Sequence, residues 1–195
     1  GMHRWRWWPK VRVVKCIRGN LIIPALRYLY GPTLPIVVLL RNPGAVVESM
    51  MRVRFPWAFD LSTLISQDEF AQKYTIPLKA LGGCAAGPVE QVTVRWLVEN
   101  LYLIKNAEGL GVRLVFYEDL VADPVAQITR LCYELDIDVF DGLEEKVSKP
   151  SYTTHPRSPA KKGHFSPGAW RAALPPADVR KIETLLASVD FTYPR

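Results

Sequence analysis

Hydrophobic and polar positions along this chain fall into two rhythms. Residues 11–17, 36–40 and 112–117 are short runs of β-branched, aliphatic or aromatic side chains with little charge. Runs of that kind suit strands covered on both faces. Between them the apolar positions recur every three or four residues, the helical period. A helix is predicted over 45–51, entered from the turn Asn42-Pro43-Gly44. A longer one is predicted over 92–107, with Val94, Leu97, Val98, Leu101 and Ile104 on one stripe and Gly109 and Gly111 closing it. Asp123-Pro124 opens another, Asp as N-cap and Pro at the first helical position, with Ile128, Leu131, Cys132 and Leu135 facing inward. Pro175-Pro176 introduces the last, whose inward positions are Val179, Ile182, Leu185, Leu186 and Val189.

Strands alternating with helices predict an α/β fold with a parallel sheet. Right-handed crossovers then place the strand carboxyl ends on one edge, where ligands bind. Two regions stand outside the alternation. Residues 52–90 mix aromatic, polar, Gly and Pro positions, as helical fragments and loops over one end of the sheet would. Residues 141–168 are rich in Ser, Thr, Lys, Pro and Gly and read as a long functional surface loop. Neither an internal repeat nor a domain boundary is visible. The expectation is one domain over 1–195, with residues 1–10 as a basic, Trp-rich tail.

Composition narrows the partners. A chain of 195 residues, 49% apolar, can bury one substantial core. No apolar run approaches the roughly 20 residues that span a bilayer. The net charge of +6 favours an anionic partner. Cys16, Cys84 and Cys132 are far apart in apolar contexts and show no zinc spacing, so reduced thiols, a cytoplasmic location and no metal are expected.

Three segments could carry chemistry. The run 36–40 ends in Arg41 and enters a helix bearing Ser49, which delivers a guanidinium and a helix N-terminus to the same edge; both suit an anion. On the residues alone, a strand end with a surface salt bridge has an equal claim. The second is Tyr117-Glu118-Asp119-Leu120, followed by Asp123-Pro124. Here a core aromatic and a solvated turn would suffice. The third is Lys161-Lys162-Gly163, with Gly168 and Trp170-Arg171 beyond, where two ammonium groups beside a Gly let backbone and side chain approach one phosphate together.

Taken together these segments resemble the sulfotransferase family, over about nine-tenths of the chain. Arg41, Asn42-Pro43 and a Ser eight positions after the Arg match its 3′-phosphate-binding segment. Tyr117-Glu118-Asp119-Leu120 is similar to its Tyr-Glu-Asp-Leu segment, and Lys161-Lys162-Gly163 to its C-terminal basic loop ahead of a Gly-x-Trp, here with two extra residues before Gly168. The resemblance implies a three-layer parallel sheet of the P-loop nucleotide hydrolase type. It implies 3′-phosphoadenosine-5′-phosphosulfate as donor, a small-molecule or glycan hydroxyl or amine as acceptor, and no metal. Arg41, Ser49, Lys161, Lys162 and Gly163 would hold the 3′-phosphate and Tyr117 would flank adenine. Ser151, with Ser148, Tyr152 and Thr153, would add nucleotide contacts.

Lys15 matches the family's lysine that faces the sulfuryl group, but Ile17 stands where the family carries its catalytic His, so no general base is assigned. His155 and His164 are the loop histidines. The P-loop-like first βα unit has no counterpart, so the fold is expected to be N-terminally incomplete and transfer by this chain to be impaired. Two alternatives stand beside that reading. One is a non-catalytic nucleotide-binding or interaction module. The less favoured is nucleic-acid binding through the basic, aromatic N-terminus. Trp5, Trp7 and Trp8 are expected to cover the gap left by the missing unit or to mediate a homodimer.

Overall fold

Strands β1 (Ile36–Leu40) and β2 (Val112–Phe116) run parallel in one two-stranded sheet, paired Ile36 to Val112 through Leu40 to Phe116. This is the arrangement in a computed structural model, which describes residues 12–17, 19–53, 87–149 and 166–193. The helices are α1 (Ile23–Tyr30), α2 (Pro43–Val53), α3 (Pro88–Asn106), α4 (Tyr117–Ala122), α5 (Pro124–Glu134), α6 (Leu143–Ser148), α7 (Ala169–Ala173) and α8 (Pro176–Ser188). The chain is therefore of mixed helix and strand with a small parallel sheet. No helix among the described residues is long and apolar enough to cross a membrane.

The longest helix, α3, is the centre of the molecule. Val94, Leu97, Val98 and Leu101 of the expected stripe are buried, and so are Thr93, Trp96, Asn100 and Leu103 around it. A helix buried nearly all round must be packed on several sides, and three clusters supply them. Leu103 joins Ile23, Val38, Leu40 and Val112 on the inner face of the sheet. Trp96 and Leu97 pack with Leu185, Phe191 and Tyr193 of the C-terminal stretch. Val89 joins Ala45, Val47, Trp170 and Ile182, linking α2, α7 and α8. The inward positions expected of the last helix hold: Ile182, Leu185 and Val189 are buried.

Helix boundaries follow local chemistry. Asp123 caps α5 as its sequence predicts, its carboxylate accepting the Ala126 N–H at 3.1 Å. Beyond α3 the chain turns at Gly111, whose φ of +59° is the left-handed conformation that Gly adopts most easily. Arg27 ties α1 to the approaches of both strands, donating to the carbonyls of Gly31 (2.8 Å), Leu34 (2.9 Å) and Gly111 (3.0 Å).

Five expectations are corrected. Residues 12–17 are irregular, not a strand, and Val13, Val14 and Ile17 are exposed. β-Branched residues fit a pleated, half-buried surface, but without a ladder partner they do not make a strand. Among the described residues the second face of the sheet is only partly covered: Val37 and Leu39 are 38% and 54% exposed there, so strand apolarity overstated the burial. Tyr117 does not end β2 but begins α4.

The apolar stripe of α5 is half-buried rather than core. That helix is fastened to β2 by polar bonds, Arg113 donating to the Glu134 carboxylate and carbonyl at 2.9 Å each. The segment 141–168 also holds a helix at its start, α6, where Glu145 and Lys149 pair across one turn. Residues 1–10, 54–86 and 150–165, and with them the tail, most of the region 52–90 and the basic stretch Lys161-Lys162-Gly163, lie outside the described residues.

Candidate functional site

The carboxyl end of the sheet gathers the parts that the sequence reading singled out separately. Arg41 leaves β1 and Tyr117 leaves β2, and because the strands are parallel neighbours the two residues emerge side by side. The Arg41 guanidinium carbon lies 5.1 Å from the centre of the Tyr117 ring, a cation–π distance. Arg41 Nε is buried and has no hydrogen-bond partner among the described residues. A desolvated donor of that kind is costly unless something accepts from it.

The peptide unit joining Arg41 to Asn42 is clamped at both ends. Trp96 Nε1 donates to the Arg41 carbonyl at 3.0 Å, and the Asn42 N–H donates to Glu118 Oε1 at 3.0 Å. Glu118 is 4% exposed, and its other oxygen accepts from the Tyr193 hydroxyl at 2.8 Å. Two buried side chains on two helices thus fix the direction in which Arg41 leaves the strand. Tyr193 is in turn held by ring contacts to Trp96 and Phe116, at 6.1 and 5.6 Å between centroids.

The start of α2 differs from the anion-binding terminus that its sequence suggested. Pro43 has no N–H. Asn42 Oδ1 accepts from Gly44 at 2.9 Å and from Ala45 at 3.4 Å, and the Asn42 carbonyl accepts from Val46 at 3.0 Å. Asn42 is the N-cap, and the first amides are already engaged. What α2 can still offer an anion is its dipole, beside the Arg41 side chain.

Trp170 closes the other side of this turn. A Cβ on Gly44 would stand 2.5 Å from its ring carbons, so Gly44 is what admits the indole. The Gly168-x-Trp170 stretch is thereby brought against the Arg41 turn. The indole ring is buried, and its Nε1 has no hydrogen-bond partner among the described residues.

The remaining candidates divide. Ser49 is half-buried on α2. Six residues from Pro43 put it about 9 Å along the axis, though side chains lean towards the helix start and so towards Arg41. Lys15 lies in the exposed irregular segment 12–17, not at a strand end, which removes the reason for aiming it at the sheet edge. Ser148 sits at the end of α6 and donates to the Glu145 carbonyl at 2.8 Å. Ser151, Lys161, Lys162 and Gly163 lie outside the described residues, as do His155 and His164.

Some participants were not read from sequence. Asn42-Pro43 was read as a turn, although Asn followed by Pro is also an N-cap signature. The buried role of Glu118 had a signal only in its place beside Tyr117. Trp96 and Tyr193 had none, since a Trp in a helical stripe and a Tyr near a terminus are ordinary core residues. Comparisons of the chain with protein-family models, with curated proteins and with solved structures found no match.

Proposed function

We propose that this chain is a sulfotransferase-like protein that holds the 3′-phosphate of 3′-phosphoadenosine-5′-phosphosulfate at the Arg41 edge, with Tyr117 beside the adenosine. One observation carries the reading. The guanidinium of Arg41 lies on the ring of Tyr117, so two motifs 76 positions apart, each matching a different nucleotide-binding segment of the same family, meet at one sheet edge. The packing of Trp170 on Gly44 adds the anchor of the third motif. Gly163 is five residues ahead of Gly168, a tether of at most about 18 Å, so chain length permits the basic loop to reach the same edge. The finer fold reading, a three-layer sheet of the P-loop nucleotide hydrolase type, belongs with this proposal.

The family reaction moves a sulfuryl group to an acceptor hydroxyl or amine by in-line displacement. It requires charge stabilisation at the departing phosphate oxygen. A second reading, binding of the nucleotide without transfer, is favoured by the exposed, irregular setting of Lys15. Titration of the chain with adenosine 3′,5′-bisphosphate, followed by calorimetry, tests the common element of both. Arg41→Ala is expected to weaken binding by about 1.5 kcal/mol or more, a lost charged hydrogen bond. No binding by the parent chain, or equal binding by a folded Arg41→Ala variant, overturns the proposal. An assay of labelled sulfuryl transfer to a panel of hydroxyl and amine acceptors then separates the two readings.

A further inference from the structure

The first 47 residues hold eight Lys or Arg and no Asp or Glu, so the rest of the chain carries slightly more acids than bases. Charge divided so unevenly along a chain points to a surface that meets a polyanion. The described part of this region also exposes apolar side chains well beyond ordinary surface practice. In the irregular segment 12–17, Val13, Val14 and Ile17 are 82%, 80% and 75% exposed, interleaved with Arg12 and Lys15, themselves exposed. In and just before α1, Ile22 is 50% exposed, and Tyr28, Leu29 and Tyr30 are 89%, 69% and 63% exposed. The sequence ahead of them, with Trp5, Trp7 and Trp8 among Arg4, Arg6 and Lys10, continues the same chemistry.

We infer that the exposed side chains of residues 12–17 and of Ile22, Tyr28, Leu29 and Tyr30 form a peripheral docking surface for an anionic lipid bilayer. Charge complementarity selects a negatively charged partner, and the side-chain types select among such partners. Nucleic acid rewards cations and flat rings, but gives little to Val13, Val14, Ile17 and Leu29. A lipid surface rewards all three kinds together. Aliphatic groups enter the boundary between headgroups and acyl chains, tyrosines sit at headgroup level, and cations meet acidic lipid. The exposed aliphatics therefore decide for the bilayer. Nothing in this docking chemistry requires a ligand at Arg41.

Co-sedimentation of the full chain with vesicles tests this. Equimolar phosphatidylcholine and phosphatidylserine should pellet the protein, and phosphatidylcholine alone should bind it about tenfold less. Combined Val13→Ser, Val14→Ser and Ile17→Ser should reduce binding to the anionic vesicles about tenfold. The thermal unfolding midpoint should stay unchanged, because these side chains are already in water. Tyr28→Ser with Leu29→Ser gives a second, independent variant on α1. Three outcomes overturn the inference: no sedimentation with anionic vesicles, equal sedimentation of parent and both variants, or binding to an oligonucleotide or to a second copy of the chain in place of vesicles.

Discussion

The Tyr193 hydroxyl donates to Glu118 Oε2 at 2.8 Å, joining the C-terminal stretch to the start of α4 across 75 positions. The other Glu118 oxygen holds the Asn42 N–H, so one buried carboxylate serves the C-terminal stretch and the Arg41 turn together. A carboxylate can accept from both at once; no neutral side chain of the same shape accepts as well on both sides. Glu118→Ala would leave two buried donors without partners and a cavity beside them. The expected loss is about 2–4 kcal/mol in urea unfolding. Glu118→Gln keeps the shape and one acceptor oxygen, and should cost about 1 kcal/mol. Tyr193→Phe should cost a similar amount, since the ring contacts remain. Equal losses for the Ala and Gln variants would show that the carboxylate is not acting as a double acceptor.

Gly44 offers a sharper test of how the C-terminal region meets the Arg41 turn. An added methyl would stand 2.5 Å from the Trp170 ring, and a buried ring in a packed core has little room to retreat. Gly44→Ala is expected to destabilise by about 1–3 kcal/mol, the usual penalty of overpacking. The same substitution in a Trp170→Ala background should cost far less, because the obstacle is gone. Unfolding of the two single variants and the double variant measures that coupling. Additive losses would mean that the two residues are not in contact in solution.

Asp123 is a case where local chemistry was sufficient. Its carboxylate accepts the Ala126 N–H as an N-cap should, and Pro124 fills the first helical position. Asp123→Ala should cost about 1 kcal/mol, and Asp123→Asn or Asp123→Ser much less. Far-ultraviolet circular dichroism during thermal unfolding would show it, and equal midpoints for the Ala and Asn variants would refute it.

What the sequence disclosed and what it concealed divide along the same physical line. Helical periodicity placed Leu97, Val98 and Ile182 correctly in the core, because a repeat over many residues reports which face must be buried. Strand propensity failed at residues 12–17, because Val13 and Val14 record a fitness for pleated sheet but not the presence of a neighbour to pair with. The Arg41–Tyr117 contact was legible as two motifs. That they touch follows from parallel pairing in one register, a long-range property. The engagement of the α2 amides by Asn42 was readable from Asn-Pro, yet the same residues also spell a turn. Glu118, Trp96 and Tyr193 converge from three distant places in the chain, and no local pattern marks a convergence of that kind.

Glu134 supplies a prediction about pH. Its carboxylate accepts from Arg130 Nε at 2.8 Å and from Arg113 Nη1 at 2.9 Å, which fastens the end of α5 to β2. The Arg130 hydrogen bond, with the charges of Arg130 and Arg113 behind it, outweighs partial desolvation and holds the group below its ordinary 4.5. A carboxyl whose value is lowered on folding stabilises the folded chain above its unfolded value. That contribution declines as pH falls through 4.5 and vanishes once pH is below the folded value. The side chain is 28% exposed and meets solvent, so the effect is small and screened by salt. Glu134→Gln should lower the unfolding midpoint slightly at pH 7 in low salt, and the gap from the parent chain should close as pH falls below 4.5 or as salt rises. A gap unchanged by pH and salt would mean that the side chain acts through packing, and that the two arginines contribute nothing by charge.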